Sequence, residues 1–289
     1  QTIAGIQYEK SNPSNAAHKL SRIAIYGKNH PYSKYKTTES INSINIDDLK
    51  KYHSTWANPT NASLAVVGDV KPDEIVKELE KYLKSWKSGK TPKIEIPSAQ
   101  QLPKGIYFIN RKGAVQSSIV ASTLTVPYNN IDYDAIKLAS RVIGGENGRL
   151  YQTLREKYSF TYSPYAFVTS TKYANRFSAV ADVATEKTDS SLAVILDELN
   201  DLKNNTPSKD EIKRVKTSYL GNYNMSFENS MNVATIIQDG DFLGKNINEI
   251  KNFPKKIESL TPSDITLMVK NFIEPENLRI IIAGDPSIL

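Results

Sequence analysis

The sequence predicts an α+β fold made of two homologous units, each an antiparallel or mixed sheet with helices packed on it, the first incomplete at its N-terminal side. Three observations carry this prediction. Strand patterns arrive in adjacent pairs ahead of runs of helices, which suits a sheet with helices on one face better than a wound βαβ fold. One stretch of the chain recurs at a constant offset. A segment rich in Pro, Ser and Lys, with Pro92, Pro97 and Pro103, separates the two copies. The units are then residues 1–86 and 105–289, joined by a linker at 87–104.

The repeat pairs Ile46-Asp47-Asp48-Leu49 and Trp56 to Asp69 with Pro262-Ser263-Asp264-Ile265 and Phe272 to Asp285. Asp48 and Asp264, Pro59 and Pro275, Gly68 and Gly284, and Asp69 and Asp285 all lie 216 positions apart. Each copy reads as a capped helix start, with Asn45 and Asp48 in one and Thr261, Pro262 and Asp264 in the other. A short amphipathic helix follows, with Leu49, Tyr52 and Trp56 on one side in the first copy. Proline then ends the helix, and a β-rich run leads into Gly-Asp, a turn signal. Applied to a second unit that begins near Gly105, the offset implies that the first lacks about 110 residues.

In the second unit, Ile106 to Asn110 and the β-branched run Val115 to Val126 read as strands. A helix over Tyr133 to Ile143 leads through a glycine turn into a short helix near Arg149 to Lys157. Tyr162 to Ser170 and Phe177 to Val183 form a strand pair. Leu192, Ile195, Leu196, Leu199 and Leu202 then make one apolar helical stripe. Ser208 with Glu211 is a capping box that opens another long helix, and Leu278 to Ala283 is the last strand. In the first unit Pro72 opens a helix that turns Ile75, Val76, Leu79, Tyr82, Leu83 and Trp86 one way.

Composition narrows the function classes. The 289 residues include no cysteine, which removes disulfides, thiolate metal sites and a cysteine nucleophile. A cysteine-free chain suits oxidising and reducing compartments alike, and export to a bacterial periplasm is compatible with it. No run approaches the 18 or so apolar residues that a membrane span needs. The net charge of +6 is mild and spread along the chain, and its densest lysines, such as Lys81, Lys84, Lys87 and Lys90, lack interleaved aromatics. That pattern is one of solvated helix faces, against a nucleic-acid partner.

The motifs of several hydrolases and nucleotide binders are missing. The three histidines, His18, His30 and His53, are too far apart to place two imidazoles one helical turn apart on a metal. No G-x-S-x-G elbow occurs. The glycine loop Gly144-Gly145-Glu146-Asn147-Gly148 lacks the G-K-[ST] ending of a phosphate cradle and follows a helix instead of a strand.

That loop continues as Arg149-Leu150-Tyr151-Gln152-Thr153-Leu154-Arg155-Glu156-Lys157, with Tyr162 seven residues beyond Arg155. The stretch resembles the glycine loop and helix of the insulinase/pitrilysin zinc metallopeptidases and of mitochondrial processing peptidases. His30-Pro31-Tyr32, Asp47-Asp48-Leu49, Asn61 to Asp69 and Asn277 to Asp285 fit the same family in order and spacing. The resemblance implies metallopeptidase-like α/β sandwich domains, paired as two halves around a chamber. It implies Arg155 and Tyr162 as a catalytic pair that reaches a substrate carbonyl, and Gly144, Gly145 and Gly148 as a substrate-binding loop. Substrate would be an extended peptide, added as a strand to a sheet edge.

The H-x-x-E-H motif of the family is absent, and so is a carboxylate just before Glu9, where the downstream zinc glutamate would stand. Glu9 itself would need a shifted alignment. The usual glycine before the tyrosine is also replaced, across Tyr158 to Thr161. Two expectations follow from the resemblance. Either the chain is the inert half, with no metal of its own and zinc held by an H-x-x-E-H-bearing partner, or a catalytic domain lies upstream. A non-enzymatic assembly protein that keeps the fold is the alternative function.

Overall fold

The computed structural model describes residues 2–287; Gln1, Ile288 and Leu289 lie outside them. Helices α1 (Thr2–Ser11) and α2 (Pro13–Tyr26) come first, then α3 (Thr38–Ser43), α4 (Ile46–Trp56) and α5 (Pro72–Leu83). The second unit runs β1 (Gly105–Asn110), β2 (Gln116–Thr125), α6 (Tyr133–Gly144), a π-helical segment (Tyr151–Lys157), β3 (Tyr165–Val168) and β4 (Asn175–Ala184). It continues with α7 (Thr188–Asn204), α8 (Lys209–Met225), α9 (Ser230–Leu243), α10 (Ile247–Ser259), α11 (Pro262–Phe272) and β5 (Arg279–Gly284). Among the described residues no helix is long and apolar enough to cross a membrane.

The sheet has the order β1-β5-β2-β4-β3, with β1 and β5 parallel and the other pairs antiparallel. Side chains alternate between its faces. Ile119, Ala121, Phe177, Ala179, Ile280 and Ile282 point to one side, where they join Ile136, Val142, Ile195, Leu199, Ile265 and Val269 from α6, α7 and α11 in the main core. The expected single helical layer is corrected by the other side. There Val120, Val180, Ile281 and Ala283 pack against Ala17 and Ala24 of α2. The reason is visible in β2, where Ile119, Val120 and Ala121 are all fully buried, because a strand covered on both faces can be apolar at successive positions.

Helix α2 is set by Asn12, whose side chain accepts from Asn15 N, and by Pro13 in its first turn. Its docking carries a polar seam. Ser21 and Ser122 hydroxyls lie 2.8 Å apart, Ser122 and Ser178 likewise, and Arg176 Nη1 donates to Ser21 Oγ at 3.0 Å. Burial lowers the Arg176 pKa to about 10, so the guanidinium stays charged at neutral pH. The linker then runs alongside, with Leu102 N donating to Ala24 O and Gln100 N to Tyr26 O.

The repeat is real at the level of local structure. Helices α4 and α11 begin and end 216 positions apart, as do the 3₁₀ turns Pro59–Asn61 and Pro275–Asn277. Both helices open with reciprocal capping boxes, Asn45 with Asp48 and Thr261 with Asp264. Their surroundings differ. Ile265 and Met268 are 0% and 6% exposed, whereas Leu49 and Tyr52, their equivalents, are 55% and 68% exposed. The expected strand over Asn61 to Asp69 is also corrected: beyond the turn, residues 62–67 join no strand among the described residues, and Ser63 O accepts from the Gln238 side chain at 3.1 Å. Its equivalent, β5, is a strand because β1 and β2 flank it, and among the described residues no strand lies beside 62–67.

This contrast yields a paired test. Ile265→Ala should lower unfolding free energy by about 2–5 kcal/mol, and Leu49→Ala by about 0.5 kcal/mol or less, in urea denaturation of the 289-residue chain. Equal losses would contradict the difference in packing.

Candidate functional site

The segment from α6 to β3 is built around close backbone approaches. Gly144 ends α6, and a Cβ there would sit 2.2 Å from Ala166 N of β3. A Cβ on Gly145 would meet Arg141 O at 2.6 Å, and one on Gly148 would meet Gly145 N at 2.8 Å. Gly144 and Gly148 are buried and Gly145 is half-buried. Their smallness is therefore taken up by packing of the chain on itself, and Gly145 is the one of the three that reaches solvent. The left-handed backbone in this turn belongs to Asn147, with φ 59°.

Arg149 then fastens the loop. Its Nε and Nη2 donate to the two carboxylate oxygens of Glu211 at 2.7 and 3.2 Å. Nη1 donates to Asp201 and lies 3.7 Å from Glu198. Burial alone would lower the Arg149 pKa, but the Glu211 and Asp201 hydrogen bonds hold it above the ordinary value. Glu198, by contrast, is raised by its own burial in spite of Arg149. This cluster accounts for a departure from expectation at α8. Ser208 Oγ accepts from Glu211 N at 3.1 Å, but the Glu211 carboxylate turns to Arg149 and not back to the helix start.

Beyond Arg149 the expected short helix is π-helical, with Tyr158 N donating to Thr153 O at 3.0 Å, five residues back. Leu150 and Leu154 are fully buried and pin it to the core. Ser159, with φ 55°, then reverses the chain in the left-handed region, the conformation that a glycine would adopt without strain. Tyr162 stands ahead of β3, which begins at Tyr165, so the tyrosine lies in a bend and not in the expected strand.

This path brings Arg155 and Tyr162 together. The Arg155 guanidinium lies 4.2 Å from the Tyr162 ring centroid and 4.7 Å from that of Tyr151, sandwiched between the two. Among the described residues its one ion-pair contact, to Glu156, is long at 3.5 Å. Tyr162 is 76% exposed, so one face of the clamp is open. It borders a cleft of about 450 Å³ that Gln116, Phe160, Ser163 and Asp182 also line. Chemically the pair offers a charged planar donor on a partly exposed side chain and a phenolic hydroxyl on a largely exposed one.

The histidines serve other ends. His18 Nε2 lies 3.2 Å from the Tyr165 hydroxyl, and burial, with Arg176 nearby, lowers its pKa. His30 Nδ1 accepts from Tyr32 N at 3.1 Å, the ring stacks on Tyr26 at 5.2 Å, and burial lowers its pKa too. His53 lies in the last turn of the exposed helix α4. Glu9 pairs with Lys19 at 3.3 Å. Among the described residues no group of three or more His, Asp or Glu is placed to hold a metal ion. The donors among the described residues do not make up a catalytic zinc site.

With this geometry in place, comparison with known proteins gives a consistent result. A family model described as "Peptidase M16 inactive domain" matches residues 43–219, well over half the chain. An uncharacterized zinc protease of Rickettsia bellii is 26% identical over 227 residues, which cover 77% of this chain and 54% of that protein. The chain thus spans just over half the length of that relative. The crystal structure of a peptidase M16 inactive domain from Pseudomonas fluorescens superposes with a TM-score of 0.88 at 22% identity, covering 98% of this chain and 68% of that one. A chain of complex III2 from Candida albicans superposes with a TM-score of 0.82 at 17% identity, with coverage of 98% and 69%. At these identities the two structural likenesses are likenesses of fold.

Removing the guanidinium in Arg149→Met strands three carboxylates, two of them mostly buried. The variant should lose about 3 kcal/mol of stability at neutral pH. Asp201 is held below the usual carboxylate range by Asn205 and then by Arg149. Its stabilisation is therefore complete above its unfolded pKa and fades as pH falls through the depressed value. Thermal melts across acid pH should show the gap between variant and parent narrowing; a gap that widens in acid would refute the cluster's role.

Proposed function

Since the chain belongs to the peptidase M16 family as an inactive domain, we propose that it is the non-catalytic half of a zinc-dependent endopeptidase. It binds extended peptide and presents Arg155 and Tyr162 to an active site whose zinc is held elsewhere, by an H-x-x-E-H-bearing partner or upstream domain. The observation that carries this reading is the clamp itself: a guanidinium stacked between two rings, with a largely exposed tyrosine, beside an open cleft.

The chemistry that these residues perform is electrostatic. A peptide carbonyl gains negative charge when its carbon is attacked, and pre-placed donors stabilise that charge without reorganising. The Tyr151 and Tyr162 rings fix the Arg155 guanidinium, so its donors keep their direction when a substrate arrives. The Tyr162 hydroxyl supplies a neutral second donor. Extended peptide is accommodated at the edge of the sheet, where β3 has a partner on one side only. The backbone of Gly145 contributes at the rim, while Gly144 and Gly148 hold the turn.

The uncovered faces of the first unit belong to the same reading. Leu49 and Tyr52 on α4, with Val76 and Tyr82 on α5, are exposed, whereas the helix repeated at α11 is buried against the second unit's core. We place on them a sheet from the rest of that first unit, which makes 1–86 the closing part of a domain. The second reading, an inert protein retained for assembly, is favoured by the fold shared with a chain of complex III2.

Reconstitution with the zinc-bearing partner separates the readings. Arg155→Ala should reduce peptide turnover about 100- to 1,000-fold and leave the thermal midpoint within a few degrees. Unimpaired turnover would remove the residue from the active site, and a stable complex that hydrolyses no peptide would favour the assembly reading. Leu49→Asp with Tyr52→Ser should leave the stability of this chain within about 0.5 kcal/mol, yet weaken its association with the rest of the first unit. Association at parental strength would show that these faces are not its contact.

A further inference from the structure

A second concave site lies away from the Arg155–Tyr162 clamp. Its cavity of about 320 Å³ sits in the helical layer between α6, α8, α9 and α10. The Tyr133 hydroxyl on its wall bonds Ser170 Oγ at 2.7 Å, just past the end of β3, whereas Tyr162 precedes the start of that strand. Aromatic rings make the walls: Tyr223 lies 4.5 Å and Tyr219 5.3 Å from Phe253, ring centre to ring centre, and Tyr128, 4.7 Å from Tyr133, lines the cavity too.

The cavity is lined by three acidic and three basic side chains, but they are not paired one to one. Asp134 is buried and satisfied twice, by Lys245 at 2.7 Å and Lys256 at 2.8 Å. Glu249 is engaged in capping α10 through Asn246 N at 2.9 Å. Asp239 is exposed at the rim. That leaves Lys137 and Arg141, one turn apart on α6 and facing the same space. Among the described residues neither has a carboxylate within ion-pair distance. Lys137 has a hydrogen bond to Ser170 Oγ at 3.2 Å. The Arg141 guanidinium lies 4.0 Å over the Tyr219 ring, and its Nε is sealed from solvent with no hydrogen-bond partner. Burial, and then Arg141, pushes the Lys137 pKa down to about 8 although the nearby Asp134 carboxylate acts the other way.

Unpaired, partly desolvated cations are costly, and an orphaned buried donor adds to that cost. A ligand with an anionic group offsets the cost of the unpaired cations. We propose that this cavity binds a small molecule with an aromatic body and a carboxylate, the carboxylate on Arg141 and Lys137, the body against Tyr128, Tyr219, Tyr223 and Phe253. The same chemistry is carried by a free aromatic acid and by the C-terminal residue of a peptide. This site stands independently of the peptidase reading, since none of its residues belongs to the Arg155–Tyr162 clamp.

Titration of the 289-residue chain with three probes tests it: 3-phenylpropionate, its amide and the tripeptide Ala-Ala-Phe, followed by calorimetry and ligand-observed NMR at pH 7. Saturable binding of 3-phenylpropionate, about tenfold or more tighter than the amide, is the expected result. Tighter binding of the tripeptide than of the free acid would assign the site to peptide ends; the reverse order would assign it to free acids. Lys137→Met and Arg141→Gln should each weaken binding about tenfold. If Arg141→Gln unfolds through loss of the Tyr219 stack, Lys137→Met carries the test alone. No saturation by either acid, equal affinity for acid and amide, or parental affinity in Lys137→Met would overturn the proposal.

Discussion

The structure rests on one requirement: the β5–β2–β4 centre of the sheet buries side chains on both faces and must be covered twice. Helices α6, α7 and α11 cover one face with elements that follow in the same unit. The other face is covered by α2, which comes from before the linker. At roughly 25 cal/mol for each square ångström of apolar surface buried, an uncovered sheet face would forfeit several kcal/mol. That is on the scale of the whole stability of a domain. The linker is consequently a short crossing, held to α2 by hydrogen bonds from Gln100 and Leu102, and the seam of Ser21, Ser122, Ser178 and Arg176 fixes how α2 lies.

Much of the fold was legible because its signals are local. Helix caps at Asn45, Ser208 and Thr261, the stripe on α7 and the β-branched run in β2 each act within a few residues. The repeat offset of 216 carried over into helix ends and 3₁₀ turns. What escaped was non-local. Residues 62–67 have strand composition, but a strand exists only through its neighbours, and none stands beside them among the described residues. The second helical layer was implied by apolar residues at successive positions of β2, a signal that alternation-based reading discards.

The candidate site divides in the same way. Arg155 and Tyr162 were singled out through the family resemblance, and the intervening π-helical segment and the left-handed Ser159 bring them into contact. The seven-residue interval alone says nothing of a π-helix, whose hydrogen bonds depend on Leu150 and Leu154 being gripped by the core. The glycines were legible as special but not as packing sites, since their neighbours come from β3 and α6. Arg149 was invisible as an anchor because its partners lie on α7 and α8. The cavity between α6 and α10 was equally hidden, its charged and aromatic residues being scattered over more than a hundred positions.

The parallel pairing of β1 with β5 has a consequence for biosynthesis. The ribosome makes β5 more than 150 residues after β2, although β5 lies between β1 and β2 in the finished sheet. Until it emerges, β1 has no neighbour at all and one margin of β2 carries unsatisfied amides and carbonyls. Nascent chains of this topology close late, and the interval in which their strand margins are open is when a chaperone has most to protect.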